Sequence, residues 1–151
     1  MTFAQHLQEG TVLINPIAGD KWTLLEQIVE NLSTSGTIPQ QLRHVALEAL
    51  VAREKNLSTG MEDGVAVPHA ALAGLESLSC GIAILPQGLE FDSLDGKPAR
   101  VVVTLLVPLD KKLEHLRVLT DVARKLGEPA FREKILLAKN EHEVLALWAE
   151  G

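Results

Sequence analysis

Residues that crosslink small proteins or stack on nucleic-acid bases are scarce in this sequence. It has one cysteine, Cys80, in 151 residues, so no internal disulfide can form, and no Cys/His cluster has the spacing of a zinc site. Aromatic residues make up 3% of the chain and tyrosine is missing, which argues against a base-stacking surface. A chain of this length buries enough surface to fold without a disulfide or a structural metal. We therefore expect a single domain over residues 1–151.

Positive charge and long apolar runs are scarce as well. Lysine and arginine number 14 against 20 aspartates and glutamates, giving a net charge of −6, whereas nucleic-acid-binding and polybasic membrane-surface proteins carry basic patches. The longest apolar run, Val101–Leu109, is interrupted by Thr104 and Pro108 and falls well short of the about 20 residues of a membrane span. Residues 1–10 lack the features of a signal peptide. We predict a cytoplasmic protein that neither binds nucleic acid nor inserts into a membrane.

Apolar spacing and turn residues predict helices at both ends of the chain and strands in the middle. The helices, each with one apolar face or a recognisable first turn, are expected after Asp20 to about Ser33, from Pro39 to about Lys55, from Lys112 to Leu126, from Pro129 to about Lys139, and after Asn140 to about Ala149. The strands are expected at residues 11–14, 65–67, 80–85, 89–91 and 99–107, the last two on either side of an Asp95-Gly96 turn. This order predicts a single α/β domain with a mixed sheet flanked by helices.

His69 has the most distinctive surroundings of the five histidines. A polar loop with two glycines, residues 56–64, leads into the short strand 65–67, and Pro68 then follows. Proline fixes its own φ and restricts the residue before it, so the imidazole is predicted at the end of a strand on a stiff backbone, where side chains often line a cleft. A neutral imidazole in such a place can act as a nucleophile. The alternative, a turn histidine without a role, stays open on spacing alone.

Two more residues have both a structural and a functional interpretation. His115 lies at the edge of the apolar face of a predicted helix, which suits either a half-buried boundary residue or a site residue. Arg53, near the end of another helix, either complements the helix dipole or offers its planar fork to a phosphate or carboxylate. His6, His44 and His142 are predicted to be surface residues. The sequence contains no HExxH, no GxxxxGK[ST] and no GxSxG, so it gives no support to metal-dependent, P-loop or serine-hydrolase chemistry.

Several of these segments together resemble a known family. The segments are Arg53-Glu54-Lys55, Ser58-Thr59-Gly60, Gly64-Val65-Ala66-Val67-Pro68-His69, Leu106-Val107-Pro108 and His115-Leu116. They resemble the fructose/mannitol-type enzyme IIA domain of the bacterial phosphoenolpyruvate:sugar phosphotransferase system, whose nitrogen-regulatory branch shares the signature. The resemblance extends from about residue 11 to residue 149.

The resemblance implies a transferase component with a phosphohistidine intermediate on a five-stranded mixed sheet. It implies that His69 receives a phosphoryl group at Nε2 from the phosphocarrier protein HPr, or from its nitrogen-branch counterpart, and passes it to a cysteine of an enzyme IIB. It also implies that His115 and Arg53 complete the site, without a cofactor or metal. Three alternatives stay open: a regulatory protein whose phosphorylation state selects its partners, the same fold with an inactive site, and a metal-dependent hydrolase using His69 and His115.

Overall fold

A mixed five-stranded sheet lies at the centre of the computed structural model, which describes residues 3–150. Its strands are β1 (Val12–Ile14), β2 (Val65–Ala66), β3 (His69–Leu72), β4 (Ser79–Leu89) and β5 (Ala99–Pro108). β4 and β5 form an antiparallel pair, and β1 lies parallel to β4. β2 and β3 follow one another along β5, and both run parallel to it. The predicted α/β fold with a mixed sheet is confirmed.

Helices cover both faces of this sheet. They are α1 (Phe3–His6), α2 (Lys21–Thr34), α3 (Arg43–Asn56), α4 (Lys112–Leu126), α5 (Pro129–Leu136) and α6 (Glu141–Glu150). Successive side chains of a strand point to opposite faces. Val103 of β5 therefore packs in one core cluster with residues of α4, α5 and α6, while Val102 packs in a second cluster with residues of α2 and α3.

Close packing on the α2 face depends on a glycine in β4. A Cβ atom added to Gly81 would lie only 2.9 Å from Cγ2 of Ile28 in α2. Glycine at this position therefore allows the helix to approach the sheet more closely than any other residue would.

Two predicted helix starts carry the expected capping bonds. Asp20 accepts a hydrogen bond from the backbone N–H of Thr23 through Oδ1 at 2.8 Å, and Asn140 accepts one from Glu143 at 3.0 Å. Such side chains satisfy backbone donors that the first turn leaves without a helical partner. No helix of residues 3–150 is long and apolar enough to cross a bilayer. Of the expected domain 1–151, residues 1, 2 and 151 lie outside the described range.

The structure differs from the predicted elements in five places. The strands expected at residues 80–85 and 89–91 form one continuous strand, β4, and residues 90 and 91 lie outside it. Helix α1 was not predicted, Pro39 precedes a 3₁₀ turn so that α3 begins only at Arg43, and α5 ends at Leu136 rather than near residue 139. The fifth difference affects the site. The predicted strand 65–67 is shorter, and His69 begins a new strand instead of lying at the end of one. Pro68 has no N–H to donate, which separates β2 from β3, but its carbonyl still accepts a hydrogen bond from Leu105 at 2.9 Å.

Candidate functional site

The His69 ring is fixed by a hydrogen bond to the backbone two residues earlier. Its Nδ1 lies 2.8 Å from the carbonyl oxygen of Val67. A carbonyl oxygen only accepts hydrogen bonds, so Nδ1 carries the proton, and in the neutral ring the lone pair is left on Nε2. The side chain is half-buried, and its backbone is held in register with Leu105 of β5. The fold therefore leaves the lone pair on one defined nitrogen of His69, Nε2.

His69 and His115 line the same cavity, which has a volume of about 210 Å³. The other lining residues are Lys112 and the apolar residues Ala70, Ala71, Leu105, Val107, Leu116 and Leu119. Lys112 and His115 come from the first turn of α4, where the helix dipole favours negative charge. The cavity combines the His69 imidazole with mostly apolar walls and two side chains that can donate hydrogen bonds to an anion.

His115 is more buried than its half-buried prediction, with 7% of its surface exposed. A third histidine stands beside it: the ring of His6 in α1 lies edge-on to the ring of His115, with 6.3 Å between the centroids. Burial lowers the pKa of His6, and the charge of His115 lowers it further. The sequence predicted His6 to be a surface residue, because nothing in a four-residue helix indicates which element it packs against.

Arg53 lies at the end of α3, and the structure does not place it among the residues that line the cavity. Its Nη1 donates a hydrogen bond of 2.7 Å to the carbonyl of Leu57, just beyond the helix end. That bond satisfies a backbone acceptor that the helix terminus leaves open, which corresponds to the structural interpretation of this residue.

A buried ion pair beside Arg53 escaped the sequence analysis. Lys21 and Glu54 are 6% and 3% exposed, and the lysine Nζ lies 2.9 Å from Glu54 Oε2 and 2.9 Å from Asp92 Oδ2. Burial alone would lower the pKa of Lys21, but the hydrogen bonds and charges of Asp92 and Glu54 outweigh it and raise the pKa. These residues are 33 and 71 positions from Lys21 in the sequence, so no local pattern could have connected them.

Within residues 3–150, no group of three His, Cys, Asp or Glu side chains is arranged to hold a metal ion.

The sequence matches a known protein family over nearly the whole chain. The chain belongs to the EIIA family of the sugar phosphotransferase system: the family model described as "Phosphoenolpyruvate-dependent sugar phosphotransferase system, EIIA 2" matches residues 5–150. The resemblance stated from the sequence is confirmed. Membership of this family supports a role as a phosphoryl carrier of a transferase system.

Individual relatives come from both branches of the family. The chain is 36% identical over 131 residues to a nitrogen regulatory protein of Pseudomonas aeruginosa, covering 87% of this chain and 84% of that one. It is 34% identical over 108 residues to a fructose-specific EIIA component of Haloferax volcanii, covering 72% and 70%. Among solved structures, the nitrogen regulatory protein IIA-Ntr of Neisseria meningitidis superposes with a TM-score of 0.87 at 30% identity, over 96% of this chain and 97% of that one.

A more distant structure extends the likeness in fold. Enzyme IIA of the mannitol system of Escherichia coli, solved in complex with phosphorylated enzyme IIB, superposes with a TM-score of 0.77 at 20% identity, over 96% of this chain and 98% of that one. At this identity the comparison shows a common fold.

Proposed function

We propose that His69 accepts a phosphoryl group at Nε2 from an HPr-like phosphocarrier protein and passes it to a cysteine of an enzyme IIB for sugar uptake. In the first step a P–N bond forms at Nε2 while the bond between phosphorus and the donor's imidazole nitrogen breaks. In the second step the P–N bond of His69 breaks as a P–S bond forms on the acceptor thiolate. The hydrogen bond from Nδ1 to the Val67 carbonyl carries the proposal, because it leaves the Nε2 lone pair available.

The surroundings of the cavity suit an intermediate that must survive until a partner arrives. Phosphoryl transfer depends mainly on positioning and on neutralising charge on the phosphoryl oxygens. His115 and Lys112 supply hydrogen-bond donors on the cavity wall. Leu109, Leu113 and Leu116 expose 49%, 87% and 62% of their surface on and just before α4. A protein partner covering these leucines would exclude water from the phosphohistidine.

Arg53 is the third side chain, after Lys112 and His115, that the proposal assigns to the phosphoryl oxygens. Helix α3 packs against β3, so the guanidinium is attached to an element that contacts the strand of His69. We propose that Arg53 exchanges its bond to the Leu57 carbonyl for one to a phosphoryl oxygen when the group arrives. Arg53→Lys keeps the charge but loses the planar fork, and it should transfer more slowly than the wild type.

The test is phosphorylation in a reconstituted system. The protein is incubated with phosphoenolpyruvate, enzyme I and HPr, and intact mass spectrometry measures the addition of one phosphoryl group. We expect a single acid-labile adduct that is lost in His69→Ala and kept in His142→Ala, an exposed histidine on α6. No adduct with HPr or its nitrogen-branch counterpart, or an adduct that survives His69→Ala, would refute the proposal.

A regulatory role is the second candidate, favoured by the relatives named nitrogen regulatory proteins and by the TM-score of 0.87 to one of them. In that case the phosphorylation state of His69 would decide which partner protein binds. Pull-downs with phosphorylated and unphosphorylated protein separate the two roles. Partners that bind only one form support regulation, whereas transfer to a sugar-specific enzyme IIB without any such partner supports transport. Both roles place the chain in the cytoplasm, which cell fractionation tests.

A further inference from the structure

We propose that Glu54 is a positioning residue for His69, acting through Thr59 and Val67. This inference rests on the proposed function, since the position matters only if the His69 ring reacts. The geometry connects the buried carboxylate to the imidazole through three consecutive sets of hydrogen bonds. Each connection uses a different part of the chain, and together they set the position of the Val67 carbonyl that holds Nδ1.

The first connection joins Glu54 to Thr59. The Thr59 backbone N–H lies 3.2 Å from Oε1 and 3.1 Å from Oε2 of Glu54, and the Thr59 hydroxyl donates a short hydrogen bond to Oε1. Lys21 holds the other side of the same carboxylate. All three side chains are buried, with Thr59 7% exposed. A carboxylate with this many donors in a buried setting has one well-defined position.

The second connection joins Thr59 to Val67. The Val67 N–H donates to the Thr59 carbonyl at 3.2 Å, Met61 donates to the Val65 carbonyl at 2.7 Å, and Gly60 forms an antiparallel bridge with Ala66. Residues 59–61 thus pair with residues 65–67. A Cβ atom on Gly60 would lie 2.9 Å from the carbonyl oxygen of Phe91, so this segment is also packed closely from its outer side.

The third connection joins Val67 to His69. The same residue that donates its N–H to Thr59 accepts the Nδ1–H of His69 with its carbonyl. Only Pro68 lies between them, and its fixed φ leaves few ways for the carbonyl and the ring to move independently. A shift of Thr59 therefore displaces the acceptor that selects the tautomer.

Stability alone gives little reason for the buried ion pair. Replacing such pairs with apolar residues of similar size is often neutral or stabilising, because both charges must be removed from water. Ion pairs in some proteins are kept because they specify one arrangement of the chain. Here the arrangement specified is that of the loop that carries the Val67 acceptor.

The test compares Glu54→Ala, Glu54→Gln and Asp92→Asn in the full-length protein. Asp92→Asn is the matched control, because it removes the other carboxylate on Lys21 at the same 2.9 Å but leaves the contacts between Glu54 and Thr59 in place. Glu54→Gln keeps an oxygen acceptor for Thr59. Imidazole ¹⁵N NMR reports the tautomer of His69 without any phosphoryl donor. Phosphorylation reactions quenched at set times, at several HPr concentrations, separate the maximal rate from the half-saturating HPr concentration.

We expect Glu54→Ala to reduce both the ratio of the Nδ1–H to the Nε2–H tautomer and the maximal rate of phosphoryl uptake by about tenfold, the order of one lost hydrogen bond. The half-saturating HPr concentration should stay unchanged, because the leucines on α4 are untouched. Glu54→Gln should recover most of the loss, and Asp92→Asn should match the wild type. If Glu54→Ala does not fold, Thr59→Val, which removes only the hydroxyl bond, takes its place with a smaller shift in the same direction.

Failure of this inference and failure of the proposed function give different results. A folded Glu54→Ala with wild-type ring shifts and a wild-type maximal rate overturns the positioning role while phosphorylation of His69 stands. A tautomer change in Asp92→Asn equal to that in Glu54→Ala also overturns it, because the effect would then come from Lys21 alone. A wild-type protein that no donor phosphorylates refutes the proposed function, even where the ring shifts respond to Glu54.

Discussion

Replacing Gly81 with alanine tests how closely α2 packs on the sheet. The new Cβ would lie 2.9 Å from Cγ2 of Ile28 and 3.6 Å from Cδ2 of Leu32, whereas carbon atoms in contact prefer about 3.5–4.0 Å. Ile28 is only 2% exposed, so it has little room to move away. Overpacking of this kind costs about 1–3 kcal/mol. Alanine also restricts the unfolded chain, which offsets about 0.4–1 kcal/mol.

We therefore expect Gly81→Ala to lower the free energy of unfolding by about 1–2 kcal/mol. The melting temperature should fall by about 2–4 °C for each kcal/mol in a chain of this size. Urea titration followed by circular dichroism measures the change, provided that the slope with urea stays constant. Gly19→Ala is the control, because no atom lies within 4 Å of its added Cβ, and it should cause no loss.

A double variant decides whether Ile28 causes the loss. Ile28→Ala alone should cost about 2–5 kcal/mol through the space it leaves. In that background Gly81→Ala should cost less than in the wild type, because its Cβ no longer meets Cγ2. A Gly81→Ala variant as stable as the wild type, or an equal cost in both backgrounds, would refute the close approach of α2.

Two further substitutions and one labelling experiment test the site and its surroundings. His115→Ala should slow phosphoryl transfer to His69 by about 10²-fold, the effect of removing one donor to a charged oxygen, and lower the melting temperature only modestly; a wild-type transfer rate would remove His115 from the site. The pKa of His6 is lowered from 6.5 in the folded protein, so the unfolded chain takes up this proton more readily. The contribution of His6 to the free energy of unfolding should therefore be fully present above pH 6.5 and lost as the pH falls below it, and His6→Asn should make the free energy of unfolding depend less on pH in urea titrations at pH 7.5, 6.5 and 5.5. The same pH dependence in His6→Asn as in the wild type would contradict this. Cys80 is 1% exposed and burial raises the pKa of its thiol, so a thiol-reactive dye should label it only in denaturant, and rapid labelling of the native protein would contradict its burial.

Local signals in the sequence were sufficient for most of the elements. Caps at Asp20 and Asn140 and regular apolar spacing identified helices that also bury one face. The Asp95-Gly96 turn was expected to join strands 89–91 and 99–107, but in the structure the strand before it is the whole of β4, including the segment predicted as a separate strand at 80–85. Four-residue elements gave no such signal. Helix α1 and strand β3 are both too short for a period to be read, and β3 follows a proline that usually ends a strand.

The site was only partly accessible from the sequence. The setting of His69 after Pro68 marked it out, but spacing could not show that His115 lines the same cavity, and the family resemblance supplied that expectation. Neither the hydrogen bond from Nδ1 to Val67 nor the Lys21–Glu54 pair could be predicted, because both depend on where distant segments meet in the folded chain. The role of Arg53 stays a prediction.

The division of one sheet edge between β2 and β3 limits how readily other chains could pair with that edge. A long edge strand with unpaired N–H and C=O groups acts as a template on which other chains add strands. Here residues 59–61 pair with β2, Pro68 interrupts the row of donors, and β3 contributes four residues. At the opposite edge, β1 is three residues long and pairs with residues 82–84 of β4. Because Pro68 interrupts one edge and β1 at the other is short, we expect His69 to stay accessible to partner proteins without a long edge that would template aggregation.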